Sequence, residues 1–453
     1  MLDHKMSVYP RNLSAFLNRL SGYNKNNVKM NVLGSGDARP GDTIQIDLPT
    51  NSIVDLSSLA WSFRVAYAAS GTGGQECHLP INAESVISRL AVEVNGQTLV
   101  NLQNYNVLFH ALLYMSATED YMLQRQVAQA NTRSGENSGT SLLADNAAET
   151  REHVIDSWLG FLGTAKPNFI DTSLLGNVRL SITLAGVDII GGNNAANPRT
   201  YTIDQQAFSM DVVSISDGIY DAMIDQRLAS GAPIEVPFKN YYSFGATHDS
   251  MDQTTTFSVA SQSIDRLWAV ARQTTVAGAG DRAYSAANAA QVATAPAHSM
   301  IATVPPFFNF QSGNGSLFHF QVNNTLYPQW QSTKSQDWYQ HTKLALGDQG
   351  NMLSGSVPEA LKQYEDNFFV YACSLEHQTD GDERFMSGID TRGAAASCYF
   401  KSSQSTLAAD LNSGAAATAS VDRSGGVPAL VTVFAETTAS MKIHANKVIE
   451  ITQ

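Results

Sequence analysis

Hydrophobic and polar residues alternate with a period of two along much of this chain, the pattern of strands that bury one face and wet the other. Thr43-Ile44-Gln45-Ile46-Asp47-Leu48 alternates, as do Leu90–Val94, Val178–Leu184, Phe318–Val322 and Lys447–Ile451. Trp61–Tyr67, Ile264–Ala271, Phe368–Cys373 and Leu430–Phe434 are apolar with less alternation, which predicts buried strands. Register places Val92 and Leu180 on a core face.

Helical spacing is confined to a few places. Tyr105, Leu108, Phe109 and Leu112 form one stripe, with Asn104 as N-cap, and Trp338–Leu346 forms a second helical patch. Ile219, Tyr220, Met223 and Ile224 form a third, opened by Asp217 and closed near Gly231. Because this third helix sits mid-chain and is followed by Pro233, it reads as a connector between two halves.

The halves share an order of elements. Val94-Asn95-Gly96-Gln97 ends a strand in the first, and Val322-Asn323-Asn324-Thr325 ends one in the second. Asn-Gly and Asn-Asn tolerate positive φ and so form tight turns. Each turn is followed by an aromatic-bearing helix, then strand, long loop and closing strands. Polar or small-residue loops cover residues 128–152, 191–199, 274–297 and 403–426. Together these features predict an all-β protein: two consecutive eight-stranded jelly-roll β-sandwiches with short helices and long loops. The expected division is an N-terminal arm over residues 1–25, a first jelly roll with connector helix over 26–228, and a second jelly roll over 229–453.

Composition agrees with this reading. Of 453 residues, 15% are charged, against about 25% in a typical soluble domain, which leaves too few charges for the outer faces of helical bundles. A net charge of −13 disfavours a nucleic-acid surface held through phosphates, so no sequence-specific nucleic-acid binding is expected. The acidity lies beyond residue 30, since residues 1–30 hold Lys5, Arg11, Arg19, Lys25 and Lys29 against Asp3. Cys77, Cys373 and Cys398 are too few and too far apart for a disulfide framework or a metal site and are expected as buried apolar residues. Met1–Pro10 lacks the apolar region of a signal peptide, so none is expected and the chain is expected to be made inside the cell.

No catalytic signature emerges, and neither a cofactor nor a metal is expected. Gly34-Ser35-Gly36-Asp37 reads as a turn rather than a phosphate cradle. His248-Asp249 with Asp252, and Glu376-His377 with Asp380, Asp382 and Glu383, are oxygen-rich loops that could meet a cation but lack the EF-hand pattern. Glu365-Asp366 could be half of a glycosidase carboxylate pair, and Trp330, Trp338 and Tyr339 could stack on a sugar. Solvated loops and core packing are the simpler accounts of these residues.

Pro80-Ile81-Asn82-Ala83-Glu84-Ser85-Val86-Ile87-Ser88-Arg89-Leu90, running into Val92-Glu93-Val94-Asn95-Gly96 and Tyr105-Asn106, resembles the first jelly roll of double jelly-roll major capsid proteins. That group includes those of virophages, polinton-like viruses and large algal DNA viruses, and more distantly adenovirus hexon and tectiviruses. Met386-Ser387-Gly388-Ile389-Asp390 and the closing pair Val431–Phe434 and Lys447–Ile451 resemble the second. The resemblance implies a structural protein, not an enzyme. It implies a homotrimer, pseudo-hexameric in outline, that tiles an icosahedral virion shell beside penton and minor capsid proteins.

The arm carries the candidate assembly contacts. Leu13, Phe16, Leu17 and Leu20 form one apolar face, with Arg11 and Arg19 nearby. This face is expected either on its own domain or on a neighbouring capsomer, a minor capsid protein or an inner membrane, with its basic charge suited to acidic lipid or genome. Two further readings compete. A viral receptor- or glycan-binding β-sandwich would expose an aromatic cluster, and a polysaccharide-cleaving jelly roll would converge two carboxylates in a groove.

Overall fold

A computed structural model of the chain describes residues 23–34, 36–69, 82–116, 121, 125, 150–190, 199–215, 218–248, 252–273, 306–308, 310–313, 315–346, 364–365, 368–376, 388–392, 397–404, 406–408, 420–422, 429–445 and 448–452. The candidate arm contacts Arg11, Leu13, Phe16, Leu17, Arg19 and Leu20, together with Cys77, lie outside the described residues.

The first set of strands is β1 (Tyr23–Met30), β2 (Thr43–Asp47), β3 (Ile53–Ala69), β4 (Ile87–Val94), β5 (Gln97–Gln103), β6 (Thr150–Ile155), β7 (Phe169–Asp171), β8 (Val178–Leu184) and β9 (Arg199–Ile215). Helix α1 (Tyr105–Ser116) lies between β5 and β6, and α2 (Gly218–Ala229) follows β9. One antiparallel sheet runs β1-β9-β3-β6 with β7 added on β3, and the sheet facing it runs β2-β8-β4-β5. The second set is β10 (Ile234–His248), β11 (Asp252–Phe257), β12 (Ile264–Gln273), β13 (Gly315–Val322), β14 (Thr325–Tyr327), β15 (Tyr371–Ser374), β16 (Cys398–Gln404), β17 (Thr406–Ala408), β18 (Ser420–Asp422), β19 (Ala429–Ile443) and β20 (Ile449–Thr452), with α3 (Ser335–Leu346) between β14 and β15. Its sheets run β10-β19-β12-β15, with β20 on β19, and β11-β16-β13-β14. The two orders are the same with β1 replaced by β10, β9 by β19, β3 by β12, β6 by β15, β2 by β11, β8 by β16, β4 by β13 and β5 by β14. Each set is an eight-stranded jelly roll, with its helix at the same point of the chain path.

Local chemistry explains the register. Asn95 (φ 50°) and Gly96 (φ 80°) both take positive φ, so the turn between Val94 and Gln97 is a two-residue hairpin loop matched to strand twist. Asn323 (φ 55°) opens the equivalent two-residue turn between Val322 and Thr325. On the paired strands Ile46, Leu180 and Val92 stand opposite one another, and all three are buried. The alternation of β2 and β8 thus turns one face inward, as the pattern predicts.

The strands without clean alternation occupy a special place. In the sheet β10-β19-β12-β15, Leu267, Ala269, Val431 and Val433 face the interior of the second jelly roll. Trp268, Val270, Phe434 and Met441 belong to one continuous apolar core with the first jelly roll. This sheet is covered on both faces, so its strands read as apolar runs.

Several boundaries differ from the pattern reading. Ser403 and Gln404 belong to β16, and the segment expected as a plain loop after them carries the paired strands β17 and β18. Thr150–Glu152 lie in β6, and Tyr23–Lys25 lie in β1, paired with Ile215–Val213. Phe368 makes an isolated bridge to Phe310, and the strand proper starts at Tyr371. On α2, Tyr220 and Ile224 turn inward while Met223 is 65% exposed, because a 100° step places it off the stripe.

Candidate functional site

The chemistry of this molecule is concentrated where its two jelly rolls meet. From the first side, the single helical turn Phe161–Thr164 presses on β10: Phe161 meets Phe238 edge-on at 5.3 Å, and the Lys239 amide donates to Thr164 Oγ1 at 2.9 Å. Lys166 N donates to Pro237 O at 3.0 Å, and Asn104 Nδ2 donates to Ser243 Oγ at 3.3 Å. Asn104 does stand at the start of α1, where its carbonyl accepts from Leu108 N, but this side-chain amide reaches across to the second jelly roll. α1 also lies against α3, and His110 stacks on Phe308 with ring centroids 3.7 Å apart.

Beneath α1 sits a buried polar plug built from the short turn Ala83–Val86. Glu84 is fully buried and pairs with Arg125, whose guanidinium lies 5.2 Å from the Phe109 ring centroid and 5.3 Å from that of Tyr121. Asn106 Nδ2 donates to Ser85 O at 3.3 Å, and His110 Nδ1 lies 2.9 Å from Asn106 O. Burial, with Arg125 adding to it against the Asn106 carbonyl, holds the His110 imidazole neutral down to about 3.

A second charged group lies within the doubly covered sheet. Lys239 Nζ on β10 is 2.8 Å from Asp265 Oδ2 on β12, 3.0 Å from Glu376 Oε1 and 3.7 Å from Glu436 Oε1 on β19. Arg266 reaches the same Glu436 oxygen at 3.6 Å, and Thr438 Oγ1 donates to Asp265 Oδ2 at 2.6 Å. Burial raises the Glu436 pKa above the ordinary carboxylate range, against the pull of Arg266 and Lys239. Burial works to lower the Lys239 pKa, but Glu436 and Asp265 outweigh it and the net shift is upward. Asp265, Glu376 and Glu436 bring three carboxylate oxygens within 4.8 Å of one another, close enough to hold a cation. The Lys239 ammonium already sits among them. The cluster therefore carries its own counter-ion and ties β10, β12 and β19 together.

Beside the junction an apolar cavity of about 500 Å³ lies under α2. It is lined by Tyr220 and Ile224 of the helix, by Ile53, Val213 and Phe169 of the first jelly roll, and by Ile234, Val236 and Ile443 of the second. Phe169 at its rim is 49% exposed.

No protein-family model matches the sequence, and no curated protein sequence does. Solved structures do match in fold. VP54 of PBCV-1, as fitted into a reconstruction of the virophage Sputnik, superposes with a TM-score of 0.61 at 12% identity over 99% of this chain and 98% of its own. The Faustovirus major capsid protein matches with a TM-score of 0.56 at 9% identity, over 93% of this chain and 90% of its own. The mavirus major capsid protein matches at 0.50 and 10%, over 94% and 89%. The chain has the double jelly-roll fold of viral major capsid proteins.

Within this double jelly roll the other candidate residues take structural places. His248 is buried, with Nε2 2.7 Å from Thr255 Oγ1 and Nδ1 3.2 Å from Ser402 Oγ, so it faces the core, while Asp252 opens β11 at the surface. Glu376 joins the Lys239 cluster, whereas Asp249, His377, Asp380, Asp382 and Glu383 lie outside the described residues. The Glu365 carboxylate accepts from Ser335 Oγ at the start of α3, and Asp366 is outside the described residues. Gly34 (φ 109°) makes a turn, and Gly36 O accepts from Gln206 Nε2.

The three aromatics diverge instead of forming a platform. Trp338 is buried and donates Nε1 to Ser332 O at 3.0 Å, Tyr339 meets Tyr364 edge-on, and Trp330 is 53% exposed against His341. Cys373 and Cys398 are buried free thiols, pushed up by burial to about 12 and about 11. Pattern reading passed over Lys239, Asp265, Glu436 and the Glu84–Arg125 pair. Charged residues inside apolar strands, such as Asp265 and Arg266 in Ile264–Ala271, were the available signal, because buried charges require partners.

Proposed function

We propose that this protein is the structural major capsid protein of an icosahedral virus, and that it acts as a homotrimer. The observation that carries the reading is the repeated strand order of two jelly rolls joined through one apolar core, a fold shared over almost the full length of known capsid proteins. Two similar but distinct lobes per chain, under three-fold symmetry, give a six-sided block that tiles a lattice while offering different contacts on alternate sides. The division near residue 229 separates these lobes. The N-terminal arm is assigned to the inner side of the shell, where its basic residues Arg11 and Arg19 meet minor capsid proteins, acidic lipid or genome. Penton proteins complete the vertices, and the site of action is the virion. The role is architectural: the charged groups at the junction of the lobes are committed to one another.

Light scattering behind size exclusion tests this. A mass near three times 48.8 kDa that holds on dilution is expected. A stable monomer would overturn the trimer and return the glycan-binding reading to the front.

A further inference from the structure

The apolar cavity under α2 and the N-terminal segment belong to one chain, and four observations connect them. First, the strand β1 that continues the segment is the edge strand of the sheet that forms the cavity floor. Lys25 on β1 pairs with Val213, which pairs in turn with Ile53, and both of these residues line the cavity. Opposed residues of an antiparallel pair share a face, and adjacent strands lie about 4.8 Å apart. The chain therefore enters the sheet one strand away from the cavity and on its side.

Second, Ser21-Gly22 separates Leu20 from Tyr23. A Ser-Gly pair favours a turn, because glycine reaches the conformations that reverse a chain. Third, Leu13, Phe16, Leu17 and Leu20 recur at helical spacing and make an apolar stripe. Ten residues of helix span about 15 Å, about three strand spacings of the floor. Fourth, the charges are complementary. Residues 1–22 hold Lys5, Arg11 and Arg19 against Asp3, while Asp221 and Asp225 stand exposed on α2 next in sequence to the lining residues Tyr220 and Ile224, and Glu235 stands exposed at the start of β10. Asp171 is on the lining itself, accepting from the Tyr220 hydroxyl at 3.3 Å.

We propose that the segment carrying Leu13, Phe16, Leu17 and Leu20 folds back as a helix and docks its apolar stripe into the cavity of its own subunit. Each chain thereby plugs the junction of its two jelly rolls with its own N-terminal segment. The inference goes beyond the capsid reading and stands without it. It gives the half-exposed Phe169 a partner, and it leaves the basic side of the segment outward.

Directed cross-linking tests it on the full-length chain in a Cys77→Ser background. Leu17→Cys with Phe169→Cys should form a disulfide within one chain on mild oxidation, seen as a compacted monomer band and as the linked peptide by mass spectrometry. Leu17→Cys with Leu344→Cys, an exposed site on α3, should not. Absence of the first link, or its appearance only between chains, overturns docking in the same subunit. Hydrogen exchange of residues 218–229 supplies a second readout without cysteines. Leu17→Asp should accelerate it severalfold, and unchanged exchange overturns the proposal. If Leu17→Asp leaves exchange unchanged but abolishes flotation with phosphatidylserine vesicles, the stripe belongs to a bilayer and the proposal fails. Light scattering on the same samples separates the two readings: a trimer without the link fails only this inference, and a linked monomer fails only the capsid reading.

Discussion

At the scale of single residues, the junction depends on charges placed where water cannot solvate them. Lys239, Asp265, Glu376 and Glu436 have side chains that are 11%, 1%, 8% and 3% exposed. A buried pair is weak evidence of stability as a whole, because desolvation offsets attraction, but removing one member leaves an uncompensated charge and costs about 3–5 kcal/mol. Lys239→Met leaves three converging carboxylates with Arg266 as the remaining cation among the described residues. Its melting temperature should fall well below that of the parent, and adding Glu436→Gln should recover part of the loss, since the two sites share one network. Equal melting of Lys239→Met and the parent would show that the cluster is solvated in practice. Gly388 is a second position with no latitude. A Cβ there would lie 2.2 Å from Ile264 O, at the point where Ile389 and Ile264 exchange backbone hydrogen bonds. This accounts physically for the glycine in Met386-Ser387-Gly388-Ile389-Asp390.

At the scale of elements, α1 is one of the parts that couple the lobes, and its His110 makes that contact sensitive to acid. The imidazole titrates near 6.5 when unperturbed and stays neutral down to about 3 in the fold, held there by burial and by nearby Arg125. Between those values the unfolded chain binds a proton that the folded chain does not, so stability falls as pH falls through this window. His110→Gln removes the contribution. The difference in melting temperature between parent and variant should shrink steadily from pH 7 to pH 4. A constant difference would mean that His110 is not the titrating group.

Elements also show what was legible in the sequence. β2, β4, β8, β12, β13 and the core of β19 were readable because each pairs an apolar face with a polar one or is buried on both. The twin Asn turns were readable because positive φ restricts residue choice. β1, Tyr-Asn-Lys-Asn-Asn-Val-Lys-Met, gave no signal, since an edge strand in which only Met30 is buried and Val28 is exposed need not alternate. The Lys239 cluster was equally hidden. Its partners stand 26, 137 and 197 positions away along the chain, and only the folded sheet brings them together.

At the scale of the whole molecule, the two jelly rolls are not independent beads. Trp268, Val270, Phe434 and Met441, on the outer face of the second jelly roll's sheet, belong to the same apolar core as Trp61, Phe208 and Tyr105 of the first. Inter-domain interfaces within a chain are usually polar and permit relative motion, whereas a large apolar one makes the parts cooperative. Taken alone, the second lobe would present these side chains to water, an exposed apolar patch of the kind that drives association. Calorimetry of the purified protein should therefore show one unfolding transition for both lobes. Residues 230–453 expressed alone should aggregate, and co-expression with residues 1–229 should restore a soluble complex by re-covering the sheet. Two resolved transitions, or a monodisperse second lobe with its own melting point, would mean that the shared core contributes little and that each jelly roll is stable by itself.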